Sequence, residues 1–121
     1  MKKAPDFTLK DTTNAEVSLS DFKGKSNVVL LFFPLAFSSV CTKELCSTRD
    51  NLKIYNSLNA EVFGISVDSF FTLKAFKEAN NINFPLLSDF NKEVSESYGV
   101  LNNDFFGMRG VSNRSVFVIN K

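Results

Sequence analysis

The stretch Asn27-Val28-Val29-Leu30-Leu31-Phe32-Phe33-Pro34-Leu35-Ala36-Phe37-Ser38-Ser39-Val40-Cys41-Thr42-Lys43-Glu44-Leu45-Cys46 decides how this chain folds. Its first seven residues form a nearly continuous apolar run, the pattern of a strand buried on both faces. Pro34 cannot continue such a strand. Beyond it, Ser38 or Ser39 can cap a helix that the spacing carries to about Leu58, with Leu45, Leu52, Tyr55 and Leu58 on one face.

Working outward, Phe7 and Leu9, then Val17 and Leu19, alternate with polar residues and predict an N-terminal hairpin turning near Thr13-Asn14. Lys23-Gly24-Lys25 punctuates the chain before the buried strand. Glu61 to Ser66 reads as a second strand. A helix follows from about Ser69 to Ala79, with Phe71, Leu73 and Phe76 among its apolar positions. Asn91 to Tyr98 is a third helical stretch capped by Gly99, and Ser115 to Asn120 is a further strand. Strands that alternate with helices after a hairpin predict an α/β layered domain. The 121 residues suit one domain spanning 1–121. The chain ends straight after an apolar strand, so a C-terminal segment is expected to be missing.

Composition narrows the function. Apolar residues make up 44% and charged residues 22%, which fits an ordinary globular chain. Fourteen Phe with no Trp point to a Phe-packed core. With 14 basic and 13 acidic residues there is no electrostatic footprint for nucleic acid or an anionic membrane. The N-terminus lacks the apolar core of a signal peptide, and no run is long enough to span a bilayer. The expected address is the cytoplasm, where two cysteines are more often free or reactive than joined in a structural disulfide. The absence of histidine removes every Cys-His or Ser-His catalytic pair and every His-containing metal site. No metal or organic cofactor is expected.

The chemistry then centres on Cys41. With Ser38 as N-cap, Cys41 is the third helical residue, where free backbone amides and the positive end of the helix dipole favour an anion. A thiolate there has a lowered pKa, and the thiolate is the nucleophile. Each neighbour also has a plain structural reading. Pro34 can simply end a strand, Ser38 can simply cap a helix, Glu44 can complement the dipole, and Arg114 can be a solvated flank.

The pattern Pro34-x-x-x-Ser38-x-x-Cys41 resembles the active-site signature of the peroxiredoxin family, Pro-x-x-x-(Thr/Ser)-x-x-Cys. Phe33-Pro34-Leu35-Ala36-Phe37, Phe84-Pro85-Leu86-Leu87-Ser88-Asp89 and Tyr98-Gly99-Val100 resemble its AhpE-type branch most, with the bacterioferritin-comigratory type next. Asn113-Arg114-Ser115-Val116-Phe117-Val118 resembles the segment carrying the family's active-site arginine. The resemblance runs from about Pro5 to Asn120. It implies a thioredoxin-like fold, with an N-terminal β-hairpin and a central sheet flanked by helices; the family's closing strand and helix would follow Lys121.

It also implies a thiol peroxidase that reduces hydrogen peroxide, alkyl hydroperoxides or peroxynitrite. By resemblance, Cys41 is the peroxidatic thiolate and passes through a sulfenic acid. Ser38 would bond the substrate oxygen and the sulfur. Arg114 would favour the thiolate and the developing oxyanion. Pro34 would shield the sulfur, and Glu44 would orient the arginines. Ser38 stands where Thr is commoner in the family, keeping the hydroxyl without its packing methyl.

In an intact helix the Cα atoms of Cys41 and Cys46 would lie roughly 8–9 Å apart. A disulfide needs them within about 7 Å, so joining them requires the first helical turns to unwind. Some peroxiredoxins with this spacing resolve their sulfenic acid in that way. Cys46 is accordingly read as a resolving cysteine, the alternative being a half-buried helix cysteine with no part in the cycle. A thioredoxin- or glutaredoxin-type protein would supply reducing equivalents, and a homodimer follows from the resemblance alone. Three rivals use the same fold. A dithiol oxidoreductase would need Cys-x-x-Cys. A peroxide sensor shares the first chemical step, and a non-catalytic interaction module would not be expected to keep both Cys41 and Arg114.

Overall fold

In a computed structural model the protein is described over residues 5–37, 39–102, 110–112 and 115–119; for Ser39, Val40 and Cys41 the description is of the helical backbone. The hairpin pairs β1 (Thr8–Asp11) with β2 (Glu16–Ser18) in antiparallel register, Leu9 opposite Val17. Its turn is built by Asp11, whose carboxylate accepts from the Thr13 hydroxyl at 2.7 Å and from the Thr13 and Ala15 amides at 2.8 and 3.0 Å. Asn14 takes the left-handed conformation there, φ 66°, one that Asn tolerates better than most residues.

The expected buried strand is β3 (Asn27–Phe32). It pairs in parallel with β4 (Ala60–Ser66), which pairs in parallel with β5 (Leu86–Ser88). The segment Leu86–Ser88 is a strand that sequence patterning missed, because three residues are too few for alternation to show. β1 joins the free edge of β5, and β8 (Ser115–Ile119) runs antiparallel to β3, giving the order β2-β1-β5-β4-β3-β8. A separate two-stranded ribbon pairs β6 (Leu101–Asn102) with β7 (Val111–Ser112).

Both faces of the sheet are covered, as β3 makes plain. Val29, Leu31 and Phe33 enter one core with Leu45, Leu73, Phe76, Phe84 and Leu86. Val28, Leu30 and Phe32 enter the other with Phe7, Phe63, Ile65, Leu87, Val94 and Val100. A period of two along one strand thus feeds two cores. Phe7, Phe32, Phe33, Phe63, Phe76 and Phe84 are buried, and Phe22 and Phe117 pack against the second core, so the phenylalanine bias is largely a core property.

The helices differ in detail from the sequence reading. The long helix expected to reach Leu58 is two: α1 (Ser39–Asp50) and α2 (Leu52–Ser57). Asn51 breaks it at φ −109°, ψ 14°. Leu45, Leu52 and Tyr55 still reach the first core, but Leu58 falls past the end of α2 and is exposed. α3 (Phe70–Asn80) starts at Ser69, whose hydroxyl accepts the Thr72 amide, and Leu73 and Phe76 face inward; Phe71 lies on the outer side, 72% exposed.

The third helical stretch shortens to α4 (Glu93–Ser97). It ends as predicted at Gly99, φ 70°: the Gly99 and Val100 amides close back on the Glu96 and Ser95 carbonyls, a Schellman arrangement. Among the described residues no helix is long and apolar enough to cross a membrane.

Candidate active site at the carboxyl ends of the parallel strands

β3, β4 and β5 run the same way, so the loops after them gather at one edge of the sheet, where open α/β sheets bind their ligands. Past the end of β3, the Phe33 amide bonds the Ile65 carbonyl at 3.0 Å and extends the parallel ladder by one residue. Pro34, which has no amide to offer, is buried immediately after it. The chain then turns through Leu35, Ala36 and Phe37. The Ala36 amide donates to Asp68 Oδ2 at 2.7 Å, and Phe37 adopts φ 67° with its ring edge-on to Phe76 at 5.2 Å.

α1 begins two residues later and Cys41 is its third residue, as the sequence predicts. No acidic residue lies in the first turn of α1, so the helix itself places no carboxylate there against its dipole's positive end. The helix is held farther along. Leu45 is fully buried, Thr48 is nearly so, and the Thr48 hydroxyl bonds the Glu44 carbonyl. Cys46 is half-buried and unpaired with another cysteine; it packs on the first core and its thiol donates to Asn80 Oδ1 at 3.9 Å. Arg49 donates to the Asn80 carbonyl and to the Asp50 carboxylate. Glu44 is half-buried on the same helix.

Ser38, Arg114 and the side chain of Cys41 lie outside the described residues. The neighbour of Arg114, Ser115, pairs with Phe32 at the carboxyl end of β3. Ser112, on its other side, is fully buried, and its hydroxyl lies 2.6 Å from that of Ser95. Both flanks of Arg114 are therefore anchored, one of them at the edge where Pro34 and the start of α1 lie.

Sequence reasoning missed two carboxylates at this edge. Asp68 follows β4 and holds Ala36. Asp89 follows β5, is almost fully buried, and accepts the Val94 and Ser95 amides at 3.1 and 2.6 Å. The signal available was an acidic residue within two positions of an apolar strand's end, which alone is as common in surface turns. Among the described residues no group of three or more His, Cys, Asp or Glu is placed to hold a metal ion.

The fold matches solved peroxiredoxin structures. Peroxidoxin BcpB from Mycobacterium tuberculosis superposes with a TM-score of 0.90 at 34% identity, over 98% of this chain and 77% of that one. The reduced 2-Cys peroxiredoxin of Plasmodium vivax does so at 0.88 and 37%, over 98% and 77%. The architecture is thus a thioredoxin-like α/β domain of the peroxiredoxin type.

Sequence comparison agrees. Alkyl hydroperoxide reductase E of Mycobacterium tuberculosis is 40% identical over 120 residues, covering 98% of this chain and 76% of the relative. The chloroplastic 2-Cys peroxiredoxin BAS1 of Spinacia oleracea is 39% identical over 129 residues, covering 98% of this chain; this chain spans about half of that relative, 47%. The model of the AhpC/TSA family matches residues 1–121, and the chain belongs to that family, the peroxiredoxins.

Proposed function

We propose that residues 1–121 form one thioredoxin-like domain that acts as a cytoplasmic thiol peroxidase, with Cys41 as the nucleophile. The observation that carries the reading is the place of Cys41: third residue of α1, directly after the buried Pro34 turn, at the carboxyl edge of the parallel strands. The relatives named alkyl hydroperoxide reductase and peroxiredoxin add support.

The Cys41 thiolate attacks one peroxide oxygen. An S–O bond forms, the O–O bond breaks, and its electron pair leaves on the other oxygen, which takes a proton and departs as water or an alcohol. Ser38, Arg114 and the helix amides stabilise the sulfur and the leaving oxyanion, Pro34 shields the sulfur, and Glu44 orients the arginine. The Cys46 thiolate then attacks the sulfenic sulfur; an S–S bond forms and the hydroxyl leaves as water. A thioredoxin- or glutaredoxin-type dithiol restores both thiols by exchange. The working form is a homodimer.

The test is rapid-quench oxidation of the reduced protein by hydrogen peroxide, read by intact-mass spectrometry, beside Cys41→Ser and Cys46→Ser. Fast oxidation that is lost in Cys41→Ser is expected, with a disulfide in the parent and a sulfenic acid accumulating in Cys46→Ser. A parent no faster than a free thiol sinks the peroxidase reading. A fast parent that forms no disulfide sinks only the role of Cys46.

A further inference from the structure

We propose that Asp68 is a positioning residue for the Cys41 site, fixing the Pro34–Phe37 turn through the Ala36 amide. The inference rests on the peroxidase reading and adds a residue to it.

The Ala36 amide lies beyond the last ladder bond of β3 and has no sheet partner, so it must find another acceptor as the chain turns. Asp68 Oδ2 supplies one at 2.7 Å, a short bond of the kind carboxylates make to amides. That oxygen is itself held: the Ser66 hydroxyl donates to it at 2.7 Å, and Ser66 is fully buried. The Asp68 amide returns a bond to Ser66 Oγ at 3.2 Å, and the Ser88 hydroxyl donates to the Asp68 carbonyl at 2.6 Å. Asp68 is thus tied to the ends of β4 and β5, and through it the turn after β3 is tied to both.

The tie has work to do at Phe37. The left-handed conformation is strained for a residue with a Cβ, and Phe37 adopts it with a ring contact to Phe76 and half its surface exposed. The Asp68 bond anchors Ala36 directly before Phe37, on the strand side of the start of α1. Ser38 and Cys41 come next along the chain, so the Ala36 anchor sets how the turn meets the helix amides. Without Asp68 the fold keeps its cores but the turn is free to relax.

The test compares Asp68→Ala and Asp68→Asn with the parent. Asn keeps a carbonyl oxygen for the Ala36 amide; Ala does not. Three quantities are measured: peroxide oxidation of Cys41, alkylation of Cys41 by iodoacetamide, and exchange of the Ala36 amide by NMR. Asp68→Ala is expected to slow peroxide oxidation roughly 10- to 100-fold, the scale of a small misplacement of reacting groups. Alkylation, which needs the thiolate but not the turn, should stay within about threefold. Ala36 protection should fall in Asp68→Ala and persist in Asp68→Asn, which should recover most of the peroxide rate. An Asp68→Ala protein at the parental peroxide rate overturns the inference, as does equal loss of peroxide and alkylation rates. A parent that is itself slow overturns the peroxidase reading, and this inference with it.

Discussion

Ser95 Oγ and Ser112 Oγ meet at 2.6 Å with both residues fully buried, joining α4 to β7 through one hydroxyl pair. Ser95 is also the residue whose amide Asp89 caps, so a continuous polar chain runs from the end of β5 to the strand just before Arg114. Buried hydroxyls are costly when left alone, and each here is the partner of the other.

Removing both hydroxyls should therefore cost less than the two single removals added together. Ser112→Ala is expected to destabilise the fold by about 1–3 kcal/mol, because the Ser95 hydroxyl stays buried without its partner. Ser95→Ala with Ser112→Ala should cost less than the sum of the single changes. Urea unfolding of the four proteins in a double-mutant cycle gives the coupling directly. Strict additivity would show that the pair contributes nothing of its own.

Tyr98 gives a prediction with pH. Its hydroxyl donates to the Pro5 carbonyl at 2.8 Å, and its ring packs against Phe7, Phe32 and Phe117. Burial first, and the Asp6 carboxylate second, push its phenol up from 10.0 to about 12. The fold thus favours the neutral phenol more than the unfolded chain does. Its contribution to stability is fully present below pH 10.0 and is lost as pH rises through about 12. Tyr98→Phe keeps the ring and removes the titration. The parent's unfolding free energy should fall more steeply than the variant's across that window, and parallel curves would refute the assignment.

What could be read in the sequence, and what could not, follows the physics of each element. β3 was legible because an apolar run buried on both faces leaves a dense signal. Gly99 was legible because a left-handed cap favours glycine. The placement of Cys41 needed only a strand end, a proline and a cap. The break at Asn51 was not legible, since the apolar spacing of Leu45, Leu52 and Tyr55 reads straight through it. β5 pairs only Leu86, Leu87 and Ser88 with β4, too short a span for periodicity to report. Asp68 is defined by a partner 32 residues away, Ala36, which no local pattern encodes. Asp89 binds the nearby Val94 and Ser95 amides of α4, but from outside the helix and beyond the usual capping spacing, so it was not legible as a cap.

The tight point of the central sheet is Gly64, opposite Leu86. A Cβ on Gly64 would come within 2.7 Å of Leu86 Cδ2 and 3.4 Å of the Phe33 ring. Leu86 and Phe33 are both fully buried, so neither side chain can swing into solvent. Gly64→Ala is expected to cost about 1–3 kcal/mol by overpacking. Trimming the obstacle should help: Leu86→Val in the Gly64→Ala background should recover part of the loss, measured by thermal and urea unfolding. A Gly64→Ala protein as stable as the parent would mean that β4 and β5 can separate freely at this register.

The last prediction concerns which part of α1 moves if Cys41 and Cys46 join. Five residues of intact helix keep the two Cα atoms too far apart for a disulfide, so some turn must open. The C-terminal half is fastened by Leu45 and Thr48 in the core, by the Cys46 contact with Asn80, and by Arg49 on the Asn80 carbonyl. The amino-terminal half follows a turn held by the Asp68–Ala36 bond and the Phe37–Phe76 ring contact. Opening should therefore begin at Ser39 and propagate toward Glu44, leaving Thr48 to Asp50 helical. Hydrogen exchange before and after one equivalent of peroxide is expected to show lost protection over residues 42–45 and retained protection at 49–51, with a matching fall in helical circular dichroism. Asp68→Ala should bring that opening forward and speed the disulfide step, even as it slows the first oxidation. A disulfide that forms with the amino-terminal turns still protected would contradict this order of events.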